Sequence, residues 1–188
     1  MDKNTPAICV FCGSSHGAKP AYAAAAIRLG TLIGRHGFRM VFGGGNVGLM
    51  GDCSVAARDA GAHVFGIIPG FLTKRERPLD GVEEIVVPDM QIRKQRMLAE
   101  SDAFVILPGG LGTLDELFEV LSIAQLKEHA KPIVIVDTED FYAPLWPLIE
   151  RTQREGFTGS TAQDLYRVVK TPDEAIALLE TLLGHAPR

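Results

Sequence analysis

Short apolar runs rich in β-branched residues alternate along this chain with longer stretches of helical periodicity, and that alternation leaves few folds open to it. The runs are Ala7 to Cys12, Arg39 to Phe42, His63 to Ile68, Glu84 to Val87, Ala103 to Leu107 and Ile133 to Val136. Between and after them, Pro20 to His36, Leu49 to Ala60, Met90 to Glu100, a stretch opening after Gly112, Tyr142 to Glu155 and Pro172 to Leu183 read as helices. Thr171 stands as a cap before the last, with Pro172 at its first helical position. Strand–helix alternation of this kind is expected of a parallel sheet covered by helices on both faces, a Rossmann-like, doubly wound α/β fold. No linker, low-complexity tract or internal repeat interrupts the 188 residues, so one α/β domain over 1–188 is the expectation.

Composition removes several classes of function. With 46% hydrophobic and 22% charged residues the chain is an ordinary globular one. No apolar run reaches the ~18 residues that suggest a membrane span, and the first residues lack the pattern of a secretory leader. A cytoplasmic protein that binds no membrane is expected. A net charge of -4 argues against general attraction to nucleic acid while leaving room for a local anion site. Cys9 and Cys12 are three apart on a strand and point to opposite faces, which spoils chelation; Cys53 has no neighbour in sequence. The five histidines form no ligand spacing, and no metal is assigned.

In an open parallel sheet, ligands bind beyond the carboxyl ends of the strands. Four loops fall there: CGSSHG, GGGNVGLMG, PGFLTKRERP and PGGLGT. Gly43, Gly45 and Gly48 have the spacing GxGxxG between a strand and a helix. A dinucleotide reader should carry an acidic residue ~20 positions on, yet the next strand reads HVFGIIPG, and no P-loop is present. Two readings of this loop remain: a tight turn that lets the helix pack, or contact with a phosphate or sugar at the positive helix start.

The stretch Pro108 to Glu116, PGGLGTLDE, joins a strand directly to a helix. Thr113 and Glu116 have the spacing of a capping box. The three glycines before them equally leave backbone N–H groups free to wrap an oxyanion. A third cluster, MQIRKQRM from Met90 to Met97, sets Arg93 and Lys94 in the first turns of a helix, against its dipole. Either a solvated basic face or a grip on phosphate and sugar oxygens accounts for it.

PGGLGTLDE, preceded by MQIRK and by GGGNVGLMG and CGSS upstream, resembles the LOG ("lonely guy") family. Its members are cytokinin riboside 5′-monophosphate phosphoribohydrolases or closely related AMP-cleaving nucleosidases. The likeness spans about Ile8 to Phe157, including SDAFVILPGG and later AQL, KPI and EGF landmarks. The family has long carried a lysine decarboxylase label, but its members use no pyridoxal phosphate, and no cofactor is expected. The resemblance implies that Arg93 and Glu116 are the catalytic pair. It implies too that Lys94 and Gly110, Leu111, Gly112, Thr113, Leu114 and Asp115 hold the nucleotide, with Ser122 and, from the loop before the MQIRK helix, Glu76 as further contacts. Gly13, Ser14, Gly44, Gly45 and Met90 complete the expected substrate-binding set. Gln91 stands where the family usually has histidine.

Glycosidic cleavage develops positive charge on the sugar ring as the base leaves. Glu116 is therefore expected to stabilise that charge and to position or activate water, while Arg93 fixes the ribose phosphate or helps the departing base. The helix from Thr113 to Lys127 is apolar on more than one face, and the resemblance implies a homodimer. Two alternatives stand beside this reading. One is a non-catalytic carrier of a nucleotide or of the molybdenum cofactor, which shares the general fold but needs no catalytic pair. The other is a transferase moving deoxyribose between bases. Whether the base is plain adenine or N6-prenylated is not written in the sequence.

Overall fold

The computed structural model describes residues 5–73, 79–159 and 162–185. In chain order the elements are β1 (Ala7–Phe11), α1 (Pro20–Arg35), β2 (Arg39–Phe42), α2 (Gly48–Asp59), β3 (Val64–Pro69), β4 (Glu83–Val87), α3 (Met90–Ala99), β5 (Ala103–Ile106), α4 (Leu111–Gln125), β6 (Ile133–Val136), α5 (Leu145–Arg154), β7 (Arg167–Val169) and α6 (Pro172–Leu183). The seven strands form one sheet in the order β4-β3-β2-β1-β5-β6-β7, and every pairing is parallel. Strand order therefore runs outward in both directions from the β1/β5 pair, which is the topological switch point of a Rossmann-like fold.

Side-chain alternation on the strands divides the core in two. Ile8 and Val10 of β1 face one way and join Leu29 and Ile33 of α1, Cys53 and Ala57 of α2, and Ile176 and Leu179 of α6. Ala7, Cys9 and Phe11 face the other way, against Met97 of α3 and Leu117, Val120 and Leu121 of α4. The same alternation parts the first two cysteines: Cys9 lies in the second cluster, Cys12 packs against the first, and all three cysteines are free thiols.

Helix starts show which local signals decide. At α6 the sequence reads true: Thr171 accepts from the backbone N–H of Glu174, whose carboxylate answers at the backbone of Thr171, with Pro172 in the first turn. At α4 the capping-box reading fails. The helix begins at Leu111 with Gly110 as its N-cap and no side-chain cap, so Thr113 is already inside it. Gly109 explains the difference, because a Cβ there would lie 2.1 Å from the Thr113 Oγ1; the hydroxyl is folded back over the glycine rather than forward onto Glu116. β7, absent from the sequence reading, is a three-residue edge strand, too short to display alternation.

The helix expected from Tyr142 begins instead at Leu145, because Tyr142 is held elsewhere. Its backbone N–H donates to the buried carboxylate of Asp137 (2.7 Å), and its hydroxyl donates to the Leu107 carbonyl (2.8 Å), just before the PGG turn. Tyr142→Phe removes that donor and leaves a buried carbonyl short of a partner. It is expected to cost about 1 kcal/mol, seen as a melting temperature lower by about 2–4 °C; an unchanged melting curve would mean that the carbonyl finds another donor.

Candidate active site

Two adjacent residues of α3 part company at the sheet edge. Asp89 caps the helix, its carboxylate accepting from the Ile92 N–H at 2.8 Å, and so fixes the turn from which both residues project. Arg93 turns inward, 8% exposed, and lies across the carboxyl ends of the strands. Its Nε donates to the Ile67 carbonyl of β3 (3.1 Å) and its Nη1 to the Glu116 Oε1 of α4 (2.8 Å). Lys94 turns outward and bridges Asp115 (3.1 Å) and Glu119 on α4, whose hydrogen bonds raise its pKa. Of this basic pair, Arg93 thus faces the strand ends while Lys94 is half-buried against the carboxylates of α4.

Glu116 is 8% exposed. Burial pushes its carboxyl above the ordinary value of 4.5, and the Arg93 guanidinium pulls the other way. The result is a buried carboxyl with a fixed guanidinium at its side. Both groups open on a cavity of about 270 Å³ lined by Val10, Cys12, Ser14, Gly43, Met50, Leu72, Arg93, Gly110, Leu111, Gly112, Thr113 and Glu116. The cavity sits at the β1/β5 switch point. The two loops there are tied by a hydrogen bond from the Gly13 N–H to the Pro108 carbonyl (3.1 Å). With Gly110 as N-cap, the first N–H groups of α4 have no side-chain cap and edge the same space, which suits an anion.

Of the expected site residues, the structure gathers Ser14, Arg93, Gly110, Leu111, Gly112, Thr113 and Glu116 around this cavity. Gly13 is buried just behind it, and Gly44 packs against Ile68, a Cβ there falling 2.8 Å from that side chain. Gly45 is buried in the same loop, and Met90 is half-buried at the start of α3. Leu114 packs into the core and Asp115 is exposed on Lys94. Ser122 is exposed on the outer stripe of α4, in line with Leu111 and Phe118 and away from Glu116. Glu76 lies outside the described residues. Val10, Cys12, Gly43, Met50 and Leu72 line the cavity without having been in the expected set. Met50 and Gly43 lie within the GGGNVGLMG loop, Leu72 within PGFLTKRERP and Cys12 at the start of CGSSHG, whose positions after strands were the available signal; Val10 reads as core.

A larger cleft, about 730 Å³, runs between α1 and α2 past His16, Arg35 and Asp52. It is an outer helix groove that reaches the loops after β1 and β2 at one end, and its His16–Asp52 pair (3.1 Å) is partly solvated. Chemistry that needs desolvated charge belongs to the smaller cavity. Among the described residues no group of three or more histidine, cysteine or acidic side chains could hold a metal ion, and no helix is long and apolar enough to cross a membrane.

A parallel sheet with helices on both faces and a glycine-edged cavity at its switch point defines a Rossmann-like ligand-binding protein. The chain belongs to the LOG family: residues 50–179 match the family described as "Possible lysine decarboxylase". A "Probable cytokinin riboside 5′-monophosphate phosphoribohydrolase" of Oryza sativa subsp. japonica is 45% identical over 174 residues, 92% of this chain and 71% of its own length. A cytokinin riboside 5′-monophosphate phosphoribohydrolase of Arabidopsis thaliana is 44% identical over 174 residues, 92% and 81% of the two chains. Among solved structures, the molybdenum cofactor binding protein of Rippkaea orientalis superposes with a TM-score of 0.73 over 96% of this chain and 98% of that one. At 24% identity that likeness speaks for the fold alone.

Proposed function

We propose that this chain, acting as one domain, is an N-glycosyl hydrolase that cleaves adenosine-type nucleoside 5′-monophosphates, with N6-prenylated AMP and AMP as its candidate substrates. The observation that carries the proposal is the buried Arg93–Glu116 pair opening on a cavity edged by the uncapped start of α4. Relatives 44–45% identical are named for this reaction. The bond between the ribose C1′ and the base nitrogen breaks, water adds at C1′, and the base leaves with a proton. Glu116 faces the developing ribosyl charge and takes the proton of the attacking water, which it gives up to solvent as the departing base takes one from solvent, so that one water is added across the bond. Arg93 holds Glu116 in place and meets the phosphate or the departing base with its remaining N–H groups. The glycine N–H groups and Ser14 receive the phosphate. Water is the only co-reactant, and no redox group is needed.

The test is incubation with AMP, N6-isopentenyl-AMP and adenosine separately, measuring free base and ribose 5-phosphate. Release from the monophosphates and not from adenosine supports the proposal, and the ratio of the two rates sets hormone activation against AMP breakdown. No release from any of them would instead favour a carrier, for which a buried carboxylate has no evident use. Release only on adding an acceptor base would point to a transferase.

A homodimer fits the same reading. Leu111 (86% exposed), Phe118 and Leu126 (71% exposed) lie on the outer side of α4, with Ile92 exposed on α3 nearby in the fold. Apolar area of this kind favours a self-complementary contact. Sedimentation at micromolar concentration is expected to give a species of twice the 20.3 kDa chain mass, and a monomer would refute it. Three unpaired thiols suit the cytoplasm, where disulfides are rare.

A further inference from the structure

Gly43 is the first glycine of the GxGxxG spacing and the first residue after β2. Its backbone does not need glycine, since it is not among the residues with positive φ, whereas the adjoining Gly44 has φ +86°. Its missing side chain answers to something else. A Cβ on Gly43 would lie 1.9 Å from the Arg93 Nη2 and 3.1 Å from both the Arg93 Cζ and the Met50 Sδ. A contact of 1.9 Å to a long side chain is ordinarily relieved by a swing of that side chain. Arg93 has little freedom to swing: Nε is bound to the Ile67 carbonyl, Nη1 to Glu116, and the side chain is buried.

We propose that Gly43 is a positioning residue for the Arg93–Glu116 pair, its bare Cα forming the slot in which the guanidinium lies. The glycine pattern that resembles a dinucleotide fingerprint thus has its first member occupied by the protein's own arginine. Filling the slot pushes the guanidinium off Ile67, off Glu116, or off both. Glu116 then loses the positive charge that opposes the effect of burial, and its carboxyl takes up a proton more readily.

The inference rests on Arg93 and Glu116 being the reacting pair, so the experiment reads the two questions separately. Four proteins are compared: wild type, Gly43→Ala, Arg93→Lys, and the double variant. Lysine ends one atom short of Nη2, the atom that the added methyl meets at 1.9 Å, and keeps only an Nζ at the place of the more distant Cζ. Hydrolysis of AMP or N6-isopentenyl-AMP is measured against pH, and thermal unfolding is measured on all four. Gly43→Ala is expected to lower kcat by about 10- to 100-fold, on the scale of a misplaced reacting group, more than it raises KM. The acid limb of its pH profile is expected to move to higher pH. In the Arg93→Lys background the same alanine should change activity and melting temperature far less, which is the signature of direct coupling.

Equal losses in both backgrounds would overturn the inference, as would a Gly43→Ala protein with wild-type kcat and pH profile. If Gly43→Ala alone does not fold while the double variant does, the slot is supported; if neither folds, alanine is excluded for a reason other than Arg93 and the inference fails. If the wild type releases no base from any monophosphate, the proposed function falls. The melting temperatures of the four proteins still decide the slot, coupled values supporting it and additive ones rejecting it.

Discussion

Replacing Glu116 with glutamine gives a folded protein whose turnover of a nucleoside monophosphate is lower by ~100-fold or more, the scale lost with one well-aimed charge in a dry site. Folding survives because the amide keeps the shape of the carboxylate and offers an oxygen to the Arg93 Nη1, now 2.8 Å from Oε1. Burial already disfavours the ionised carboxylate, so a neutral side chain removes that penalty while weakening the ion pair. The sign of the pH dependence follows. A carboxyl whose folded pKa lies above its ordinary value of 4.5 adds stability below that value, and the gain is lost as pH rises through the folded pKa. The glutamine variant has no such loss, so its stability relative to wild type should improve over that window. Activity moves oppositely: wild-type kcat/KM rises with pH as Glu116 ionises, with an acid limb above the ordinary carboxylate range. Circular dichroism with product chromatography checks both, and near-normal turnover by a folded variant would remove Glu116 from the chemistry.

Arg93→Met is expected to be the more damaging change, because it injures stability as well as catalysis. Methionine fills most of the volume but offers nothing to the Ile67 carbonyl or to Glu116. Removing one member of a buried ion pair costs about 3–5 kcal/mol when the other must stay charged. Glu116 can escape part of that cost by keeping its proton, which takes away the negative charge that the proposed mechanism sets against the ribosyl cation. Turnover should therefore fall at least ~100-fold even where the variant is folded. Chemical denaturation at neutral and mildly acid pH separates the parts: the stability deficit should shrink at acid pH, where the orphaned carboxyl is neutral. A deficit independent of pH would mean that lost packing, rather than stranded charge, is the cause.

How far the sequence discloses this arrangement depends on the residue. Six strands and their parallel order of alternation are legible because buried strands such as Ala103–Ile106 read as unbroken apolar runs. β7 is not, being three residues at an edge. Arg93 and Lys94 are adjacent and chemically alike in the sequence, yet a helix turns successive residues by more than a quarter circle, so one enters the site and the other meets Asp115 and Glu119 outside. The resemblance named Arg93 and Glu116; spacing alone left PGGLGTLDE between a capping box and an oxyanion cradle, and the box is excluded because the helix starts at Leu111 with Gly110 as its N-cap. Val10 and Cys12, at the end of the first strand, are silent as site residues, since an apolar side chain facing a cavity looks in sequence like one facing the core.

The strand order has a consequence for how the molecule comes into being. β1 pairs on one side with β2, its neighbour in the chain, and on the other with β5, which arrives only after β2, β3, β4 and α3 have been made. Local pairings form readily, whereas closing so long a loop into a parallel pair is slow. Arg93 precedes that closure and Glu116 follows it. A newly made chain therefore carries its arginine on a half-built sheet, without the carboxylate opposite, until the β1–β5 seam shuts. The Arg93–Glu116 pair therefore cannot be assembled before that seam shuts, whereas β6, β7 and α6 can still be joining the sheet beyond it.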